Sequence, residues 1–544
     1  MSFKNKVVYQ IYPQSYKDTN GDGIGDIQGI IQSLDYLQYL GIEMIWMNPI
    51  FQSPKKDNGY DITDYYAIDP VYGTMSDLEE LIKEADKRHI GIMFDMVFNH
   101  TSITHDWFKK ALKGDPHYQD YYFFKKNEGH KPTNWDSKFG GSCWEYVKDL
   151  DMYYLHLFDK TQADLNWENP EVRKELAQVV NFYLNKGIKG FRFDVINLIS
   201  KDVFEDDYEG VGKRFYTDGK NVNHYLHELN HGSFGRYNDI MTVGEMSATS
   251  VEHCIEYTNP DDEELTMAFN FHHLKVDYKD KEKWTVMDFD FEELKSILNE
   301  WQVGMQEGNG WNALFWNCHD QPRSLSRFGD DVHYPYESAS MLATCIHMMR
   351  GTPYVYQGEE IGMTNNYFET IEDYRDVESI NYYHILKEEG YEEQDILAIL
   401  KAKSRDNARS PMQWNAQDKS GFTTGTPWMK INENHKTINV ESSLINPDSL
   451  LQYYRTLIQL RKNLRVISEG LYEPLLKDHP YILAYKRTFR DQELIVYCNF
   501  YAHEEEIEID PSLYDILLSN YKRSSLDTQM LLHPYEALVL KRIH

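Results

Sequence analysis

The chain has 544 residues, of which 41% are apolar and 26% are charged, as expected for a folded globular protein long enough for more than one domain. Its 87 acidic residues against 56 basic ones give a formal net charge of -31, which excludes nucleic acid as an expected partner because its phosphates would be repelled. The first residues contain no apolar leader, and no run approaches the ~18 apolar residues of a membrane span, so we expect a cytoplasmic protein without membrane contact.

Eight apolar, β-branched or aromatic runs alternate with helical patterns along most of the chain, which is typical of repeated βα units around a parallel sheet. Their predicted ranges are 7–11, 44–47, 91–97, 190–193, 241–243, 267–271, 313–316 and 352–356. Eight such units favour an α/β fold with a closed (β/α)8 TIM barrel, in which functional residues come from the carboxyl ends of the strands.

Two segments depart from this pattern. The stretch 101–169, between the third and fourth strands, is too long for a simple connection, and we expect a small inserted domain there. After a last helical segment the pattern changes to alternating strands, so residues 469–544 are predicted to form a C-terminal antiparallel β-sandwich domain. The barrel is then predicted from residues 1–100 and 170–468.

The segment 18–26, directly after the first strand, spaces oxygen atoms as a calcium loop does. The candidate ligands are Asp18, Asn20, Asp22, the carbonyl of Ile24, and Asp26. Gly29 stands where an EF-hand has its bidentate glutamate, so the spacing leaves the choice between Ca²⁺ and Mg²⁺ open. A turn rich in Asn, Asp and Gly without any metal is an equal alternative.

Acidic residues end three of the later units: Asp194 after the fourth strand, Glu245 after the fifth, and Asp320 after the seventh. Paired carboxylates suit glycosidic bond cleavage, since one acid protonates the leaving oxygen while the other meets the cationic sugar. Arg192, one alternation from Asp194, favours the charged form of that carboxylate, whereas Glu245 receives less such help and keeps a higher pKa. Asp194 is therefore predicted as nucleophile and Glu245 as acid/base. The alternative is a set of strand-end carboxylates in salt bridges.

Basic residues follow the predicted sixth strand, where they would emerge at the catalytic rim of a barrel. They are His272, His273 and Lys275, with Lys281 and Lys283 shortly after. In so acidic a chain such a group could hold a phosphate on the leaving sugar through charge-assisted hydrogen bonds. The alternative is a solvated loop.

Five cysteines are scattered along the chain, odd in number and without a C-x-x-C pair. They are Cys143, Cys254, Cys318, Cys345 and Cys498. This pattern indicates free thiols in a reducing compartment rather than a disulfide framework or a zinc site.

Four segments, 95–100, 190–197, 244–245 and 317–320, resemble the signature regions of glycoside hydrolase family 13, the α-amylase family. The resemblance implies a barrel enzyme that needs no cofactor for catalysis, with Asp194 as nucleophile, Glu245 as acid/base and Asp320 as transition-state stabiliser. It implies that the reacting glucose is bound by Asp57, Tyr60, His100, Arg192, His319 and Arg405. It also favours a structural Ca²⁺ or Mg²⁺ at 18–26. Cys318 departs from the family, where many members have Asn, and it flanks the site without touching the proton chemistry.

Within the family the chain resembles the subfamily of trehalose-6-phosphate hydrolases and oligo-1,6-glucosidases, and segments 213–219 and 272–278 resemble the former more. The leading hypothesis is a retaining exo-α-glucosidase that hydrolyses trehalose 6-phosphate to glucose and glucose 6-phosphate. The alternative is an oligo-1,6-glucosidase acting on isomalto-oligosaccharides. Val195 occurs in both and does not separate them. The expected partner is thus a small phosphorylated disaccharide or an oligosaccharide, bound by a monomer or weak oligomer.

Two further classes are considered. A catalytically inactive relative that serves as a binding or transporter-partner module is disfavoured, because all three carboxylates and both histidines of the resemblance are present. A transglycosylating isomerase on the same barrel stays open, since water and sugar acceptors compete for the same glucosyl-enzyme.

Overall fold

The computed structural model of the chain describes residues 3–543, and its largest element is a ring of eight parallel strands. The strands are β1 (Val8–Ile11), β2 (Met44–Met47), β3 (Gly91–Met96), β4 (Gly190–Phe193), β5 (Met241–Glu245), β6 (Met267–Phe269), β7 (Ala313–Leu314) and β8 (Thr352–Tyr356). They are hydrogen-bonded in the order β6-β5-β4-β3-β2-β1-β8-β7, and a parallel bridge between Ala268 and Asn312 brings β6 beside β7. The prediction of a (β/α)8 barrel is confirmed.

A helix or helix pair follows each strand. In chain order these helices are Ile27–Gln32 and Leu34–Leu40, Met75–Asp86, Pro170–Lys186, Val222–Gly232, Val251–Thr258, Phe291–Glu307, Pro335–His347 and Leu450–Asn463. Their ends are encoded locally. Thr74 and Asp77 form a reciprocal capping box at the start of Met75–Asp86, and Gly187, with φ of 100°, ends Pro170–Lys186 in the left-handed region.

Shorter elements lie mostly in the loops at the carboxyl ends of the strands. The helices among them are Asp106–Leu112, Pro116–Gln119, Lys213–Tyr216, Ser324–Phe328, Val377–Glu388, Glu393–Lys403, Asp406–Arg409, Val440–Ile445 and Arg465–Glu469. A two-stranded antiparallel sheet, Phe51–Gln52 with Asp64–Ile68, follows β2.

The segment between β3 and the helix Pro170–Lys186 contains its own small sheet. Strands Phe124–Lys126 and Trp144–Val147 flank Met152–Leu155 in antiparallel order, and His100–Ser102 pairs with Gln162–Asp164. Its buried Trp135 belongs to an apolar cluster that also contains Val195 and Tyr216, from the loop after β4. The inserted segment therefore packs against the loop that begins at Asp194, while the predicted bounds of its domain stay a prediction.

The end of the chain forms a second unit. A five-stranded antiparallel sheet has the order Leu471–Leu475, Ile482–Phe489, Gln492–Asn499, Ala537–Arg542 and Tyr514–Ser519, and a two-stranded sheet pairs Glu505–Glu508 with Gln529–Leu532. Buried Arg487 of this unit donates to the carbonyl of Met348, just after a barrel helix. The prediction of a C-terminal antiparallel β domain is confirmed.

Three sequence expectations can be compared directly with these elements. All five cysteines are buried with free thiols, as predicted. Among the described residues, no helix has the length and apolarity needed to cross a membrane. β6 and β7 are shorter than predicted, since β6 ends at Phe269 and gives way to a 3₁₀ turn, His272–Leu274. That early end changes the position of the basic residues that follow it.

Candidate active site

The guanidinium of Arg192, fully buried, contacts three carboxylates at the carboxyl ends of neighbouring strands. Its Nη1 donates to Asp95 Oδ1 at 2.6 Å and to Asp194 Oδ1 at 2.7 Å, and its Nη2 contacts Glu245 Oε2. Arg192 is aligned with Asp95 across the β3–β4 ladder, so parallel pairing alone puts these two on one face. One cation therefore holds the predicted nucleophile and the predicted acid/base side by side.

The contact between Arg192 and Glu245 corrects one premise of the sequence argument. Glu245 was expected to receive little help from Arg192, and this is wrong because β5 continues two residues further than predicted and ends on Glu245 itself. The surroundings of the two carboxylates still differ. Glu245 lines a small cavity together with the rings of Phe269 and Phe315, whereas Asp194 follows β4, where its backbone N–H donates to the carbonyl of Met96.

Asp95 is a site residue to which the sequence reasoning assigned no role. Its Oδ2 accepts hydrogen bonds from the Tyr60 hydroxyl at 2.8 Å and from the Trp46 indole at 3.1 Å. Burial raises the pKa of Asp95 to about 7, against the lowering effect of Arg192. The alignment of Asp95 with Arg192 in adjacent parallel strands is the signal from which its place in the site could have been predicted.

His319 and Asp320 follow β7 and face the same cavity. His319 Nδ1 accepts from Gln10 Nε2 at 2.9 Å, and its Nε2 lies 3.0 Å from Asp320 Oδ2. Burial holds the pKa of His319 well below its ordinary value. The imidazole is therefore neutral, and with Nδ1 accepting, its proton is on Nε2. The ring stacks on Tyr60 with centroids 5.1 Å apart.

Two arginines from the region after β8 hold the other oxygen of Asp320. Arg405 Nη1 and Arg409 Nη2 lie 3.0 Å and 3.1 Å from Asp320 Oδ1, and both guanidinium groups also contact buried Asp376. Burial raises the pKa of Asp320, but the adjacent His319 and the two guanidinium groups outweigh it and hold that pKa below its usual range. Asp320 is therefore ionised at neutral pH. The sequence reasoning missed Arg409 and Asp376.

The predicted glucose-binding residues join this network from the loop after β2 and from the inserted segment. Gln162 Nε2 donates to Asp57 Oδ2 at 3.0 Å and to the Tyr60 carbonyl at 3.1 Å, and His100 Nε2 lies 3.0 Å from that same carbonyl. Asp57 Oδ1 is 3.5 Å from Arg405 Nη2. Burial raises the pKa of Asp57, while Arg405 lowers it. One continuous set of contacts thus links all nine residues that the resemblance assigns to catalysis and glucose binding.

His272 and His273 are not at the rim, contrary to the sequence expectation. Because β6 ends at Phe269, the following 3₁₀ turn directs both rings toward the helix layer. His273 Nε2 lies 2.8 Å from the Phe315 carbonyl, and the His272 ring lies 5.2 Å from the ring of Trp301. Burial lowers the pKa of each to about 4, so neither carries a charge at neutral pH that could hold a phosphate.

Lys275 is exposed, and it belongs to a basic group that the sequence reasoning only partly found. Half-buried Lys138, from the inserted segment, donates through Nζ to Ser247 Oγ at 2.9 Å, two residues after Glu245. Burial, together with the positive charges of Lys213 and Lys275, lowers the pKa of Lys138 to about 7. Lys138, Lys213 and Lys275 are called the lysine cluster below. Lys138 has no sequence signal of its own, because the fold brings it from a distant segment.

The loop 18–26 uses its acidic side chains for its own backbone. Asp18 accepts from the N–H groups of Gly21 and Gly23, and Asp26 accepts from Gly29 N–H, capping the helix Ile27–Gln32. Within residues 3–543, Asp18, Asp22 and Asp26 are not among the acidic and histidine groups that converge to within 4.8 Å. The metal site predicted at 18–26 stays a prediction.

The barrel and its cluster of carboxylates, arginines and histidine at the strand ends define a barrel hydrolase acting on glycosidic bonds. The family described as the catalytic domain of α-amylase matches residues 10–470, and the α-amylase SusG C-terminal domain matches residues 482–539. The chain belongs to the α-amylase family of glycoside hydrolases, as the sequence resemblance predicted.

Individual relatives match over the full length. The chain is 54% identical to the trehalose-6-phosphate hydrolase of Bacillus subtilis (strain 168), over 99% of this chain and 98% of that one. It is 47% identical to the oligo-1,6-glucosidase of Bacillus cereus, over 99% of each chain. The crystal structure of trehalose-6-phosphate hydrolase from Bacillus licheniformis superposes with a TM-score of 0.96 at 53% identity, covering 100% of both chains.

Proposed function

We propose that this chain hydrolyses trehalose 6-phosphate to glucose and glucose 6-phosphate, with retention at the reacting carbon. The observation that carries the proposal is the lysine cluster beside Glu245. The acid/base must lie next to the leaving sugar, so Lys138, which contacts Ser247 two residues beyond Glu245, is suitably located for a phosphate on that sugar. Charge-assisted hydrogen bonds to a phosphate are strong enough to act locally within an acidic protein. The trehalose-6-phosphate hydrolases of Bacillus subtilis and Bacillus licheniformis, to which the chain is similar, agree with this substrate.

The chemistry follows from the surroundings of the two carboxylates. Asp194, held by Arg192 Nη1, is the nucleophile that forms the glucosyl-enzyme. Glu245 donates its proton to the leaving oxygen and then takes one from water as the intermediate is hydrolysed. Glu245 also lines a cavity with the rings of Phe269 and Phe315, and this apolar lining opposes the charging effect of Arg192 on its carboxyl. No cofactor takes part in these steps.

The remaining residues bind the glucose that reacts. Asp320, kept ionised by its arginines, offers a negative charge to the developing oxocarbenium ion. Asp57 and Arg405 link the loop after β2 to the region after β8. This link would close the pocket behind the glucose and restrict attack to a terminal residue, as an exo-acting enzyme requires.

The test is a direct comparison of substrates with the purified full-length chain. We expect efficient hydrolysis of trehalose 6-phosphate, with release of glucose 6-phosphate, and weak hydrolysis of isomaltose and trehalose. Isomaltose turnover without any trehalose 6-phosphate turnover would instead establish the oligo-1,6-glucosidase alternative, which the 47% identity to the Bacillus cereus enzyme supports.

Three further properties belong to this proposal. A phosphorylated disaccharide does not cross membranes unaided, which supports a cytoplasmic location. A monomer or weak oligomer stays the expectation. A structural Ca²⁺ at 18–26 is also part of the proposal: addition of Ca²⁺ should raise the melting temperature, and chelation should lower it.

A further inference from the structure

We propose that His227, His231 and Glu263 form a surface binding site for a divalent transition metal, with Zn²⁺ as the ion that fits best. The three side chains are exposed, and their ligand atoms lie within 4.8 Å of one another. His227 and His231 are four residues apart on the helix Val222–Gly232, so their imidazoles project from one face. Glu263 comes from the turn after Pro260–Asp262 and reaches the same face.

The orientation of both rings suits metal binding. His227 Nδ1 lies 3.0 Å from the Asp262 carbonyl, to which a neutral imidazole donates, so the lone pair of Nε2 is free. Metal-bound histidines generally donate their second N–H in this way. His231 Nε2 lies 2.7 Å from Glu263 Oε2, and the metal would replace the proton between these two atoms. The two ring centroids are 4.3 Å apart.

The donor set selects the class of ion. Two imidazoles and a carboxylate are ligands that Zn²⁺ accepts, and three protein ligands leave one tetrahedral position for water. Ca²⁺ and Mg²⁺ prefer oxygen ligands throughout and would not compete well here. The exposed carboxylates of Asp261 and Asp262 add negative charge close by, which attracts a cation.

A metal at this site would join the helix after β4 to the turn before β6. It would stabilise the folded chain, because the unfolded chain does not hold the three ligands together. None of the three residues belongs to the active-site network or to the lysine cluster. Hydrolysis of an aryl α-glucoside should therefore continue when the metal is bound.

The experiment is calorimetric titration of Zn²⁺ into the full-length protein at pH 7.5, with the visible absorption of Co²⁺ as a second readout. We expect one saturable site whose affinity falls at least about tenfold in His227→Gln and in His231→Gln. His117→Gln is the matched control. His117 is exposed and its Nδ1 lies 3.5 Å from Glu171 Oε2, but this pair is not among the groups of three or more ligands that converge in the described residues. The affinity of this variant should equal that of the parent protein.

Two further measurements separate metal binding from an ordinary ion pair. Without metal, the variants should melt within a degree or two of the parent protein, and Zn²⁺ should raise the melting temperature of the parent and of His117→Gln only. The proposal is overturned if the parent binds no Zn²⁺, if a His227→Gln/His231→Gln double variant keeps the affinity, or if His117→Gln loses as much. Aryl-glucoside hydrolysis is measured in parallel, and its inhibition by Zn²⁺ would show that the ion binds at the active site instead.

Discussion

The two ends of the proposed substrate meet very different charge environments. Around the glucose that reacts, every charged group has a partner: Arg192 contacts three carboxylates, and Asp320 lies between two guanidinium groups. Around the leaving sugar, by contrast, Lys138 of the lysine cluster donates to the hydroxyl of Ser247 rather than to a carboxylate. The first region holds its geometry through internal ion pairs, whereas the second would receive negative charge from the phosphate of the proposed substrate.

The largest expected effect comes from the region around the reacting glucose, called the paired region because its charges contact opposite charges. Asp194→Asn removes the nucleophile, and we expect kcat to fall at least about 1,000-fold on trehalose 6-phosphate and on an aryl α-glucoside alike. Steady-state kinetics on both substrates, with circular dichroism to verify folding, measure this. Unchanged hydrolysis would show that the chain's activity does not use this carboxylate and would favour a binding module for the barrel site.

A second change tests whether the paired region depends on its bidentate geometry. Arg405→Lys keeps the positive charge but cannot contact Asp57, Asp320 and Asp376 together. We expect kcat/KM to fall about 100-fold on both substrates, and the free energy of unfolding to fall by about 3 kcal/mol, because buried carboxylates lose partners. Denaturant unfolding and kinetics measure the two effects. Arg375→Lys, at an exposed arginine nearby, is the control that should change neither.

Substitutions in the lysine cluster should differ from those in the paired region, because the loss of activity should be limited to one substrate. Lys275→Ala and Lys213→Ala should each lower kcat/KM for trehalose 6-phosphate about tenfold, the value of one charge-assisted contact, and leave the aryl α-glucoside unchanged. Lys281→Ala, an exposed lysine of the same loop, is the matched control. Equal losses on both substrates would remove the phosphate role from the cluster.

The smallest effect is a pH dependence that arises from Lys138. Its pKa is lowered to about 7, so the ammonium is mostly charged at pH 6 and mostly neutral at pH 8. KM for trehalose 6-phosphate should therefore rise a few-fold over this interval, because a neutral amine makes a weaker hydrogen bond to the phosphate than an ammonium group does. Lys138→Arg stays charged throughout. The ratio of the two KM profiles isolates the lysine from the phosphate's own ionisation near pH 6, and a flat ratio would contradict the assignment.

The barrel could be predicted from the sequence because it depends on short, local patterns. Strand-length apolar runs define each βα unit, and parallel pairing brings Asp194, Glu245 and Asp320 to one face. The bounds of β6 were less predictable, because Phe269 and Phe271 favour a strand whereas Asn270 between them favours a turn. That difference of two residues moved His272 and His273 out of the site.

Long-range packing accounts for what the sequence did not predict. Lys138 reaches the site only because the inserted segment folds against the loop after β4, and Arg409 only because the region after β8 returns to Asp320. Neither position has a local pattern that distinguishes it from a surface cation. The role of Asp95 could have been derived, since its register with Arg192 follows from two adjacent strands.

Val195, the residue after the nucleophile, has φ of 35° and ψ of 42°, a left-handed conformation that a β-branched side chain rarely adopts. Its side chain is buried in the apolar cluster of the inserted segment, with Trp135 and Tyr216. Such a conformation costs on the order of 1–3 kcal/mol and persists only where packing enforces it. The inserted segment therefore does more than supply Lys138. It maintains the backbone torsion of Val195, which the chain would otherwise relax. Mutations that loosen this aromatic core should therefore displace the Asp194 carboxylate before they unfold the barrel.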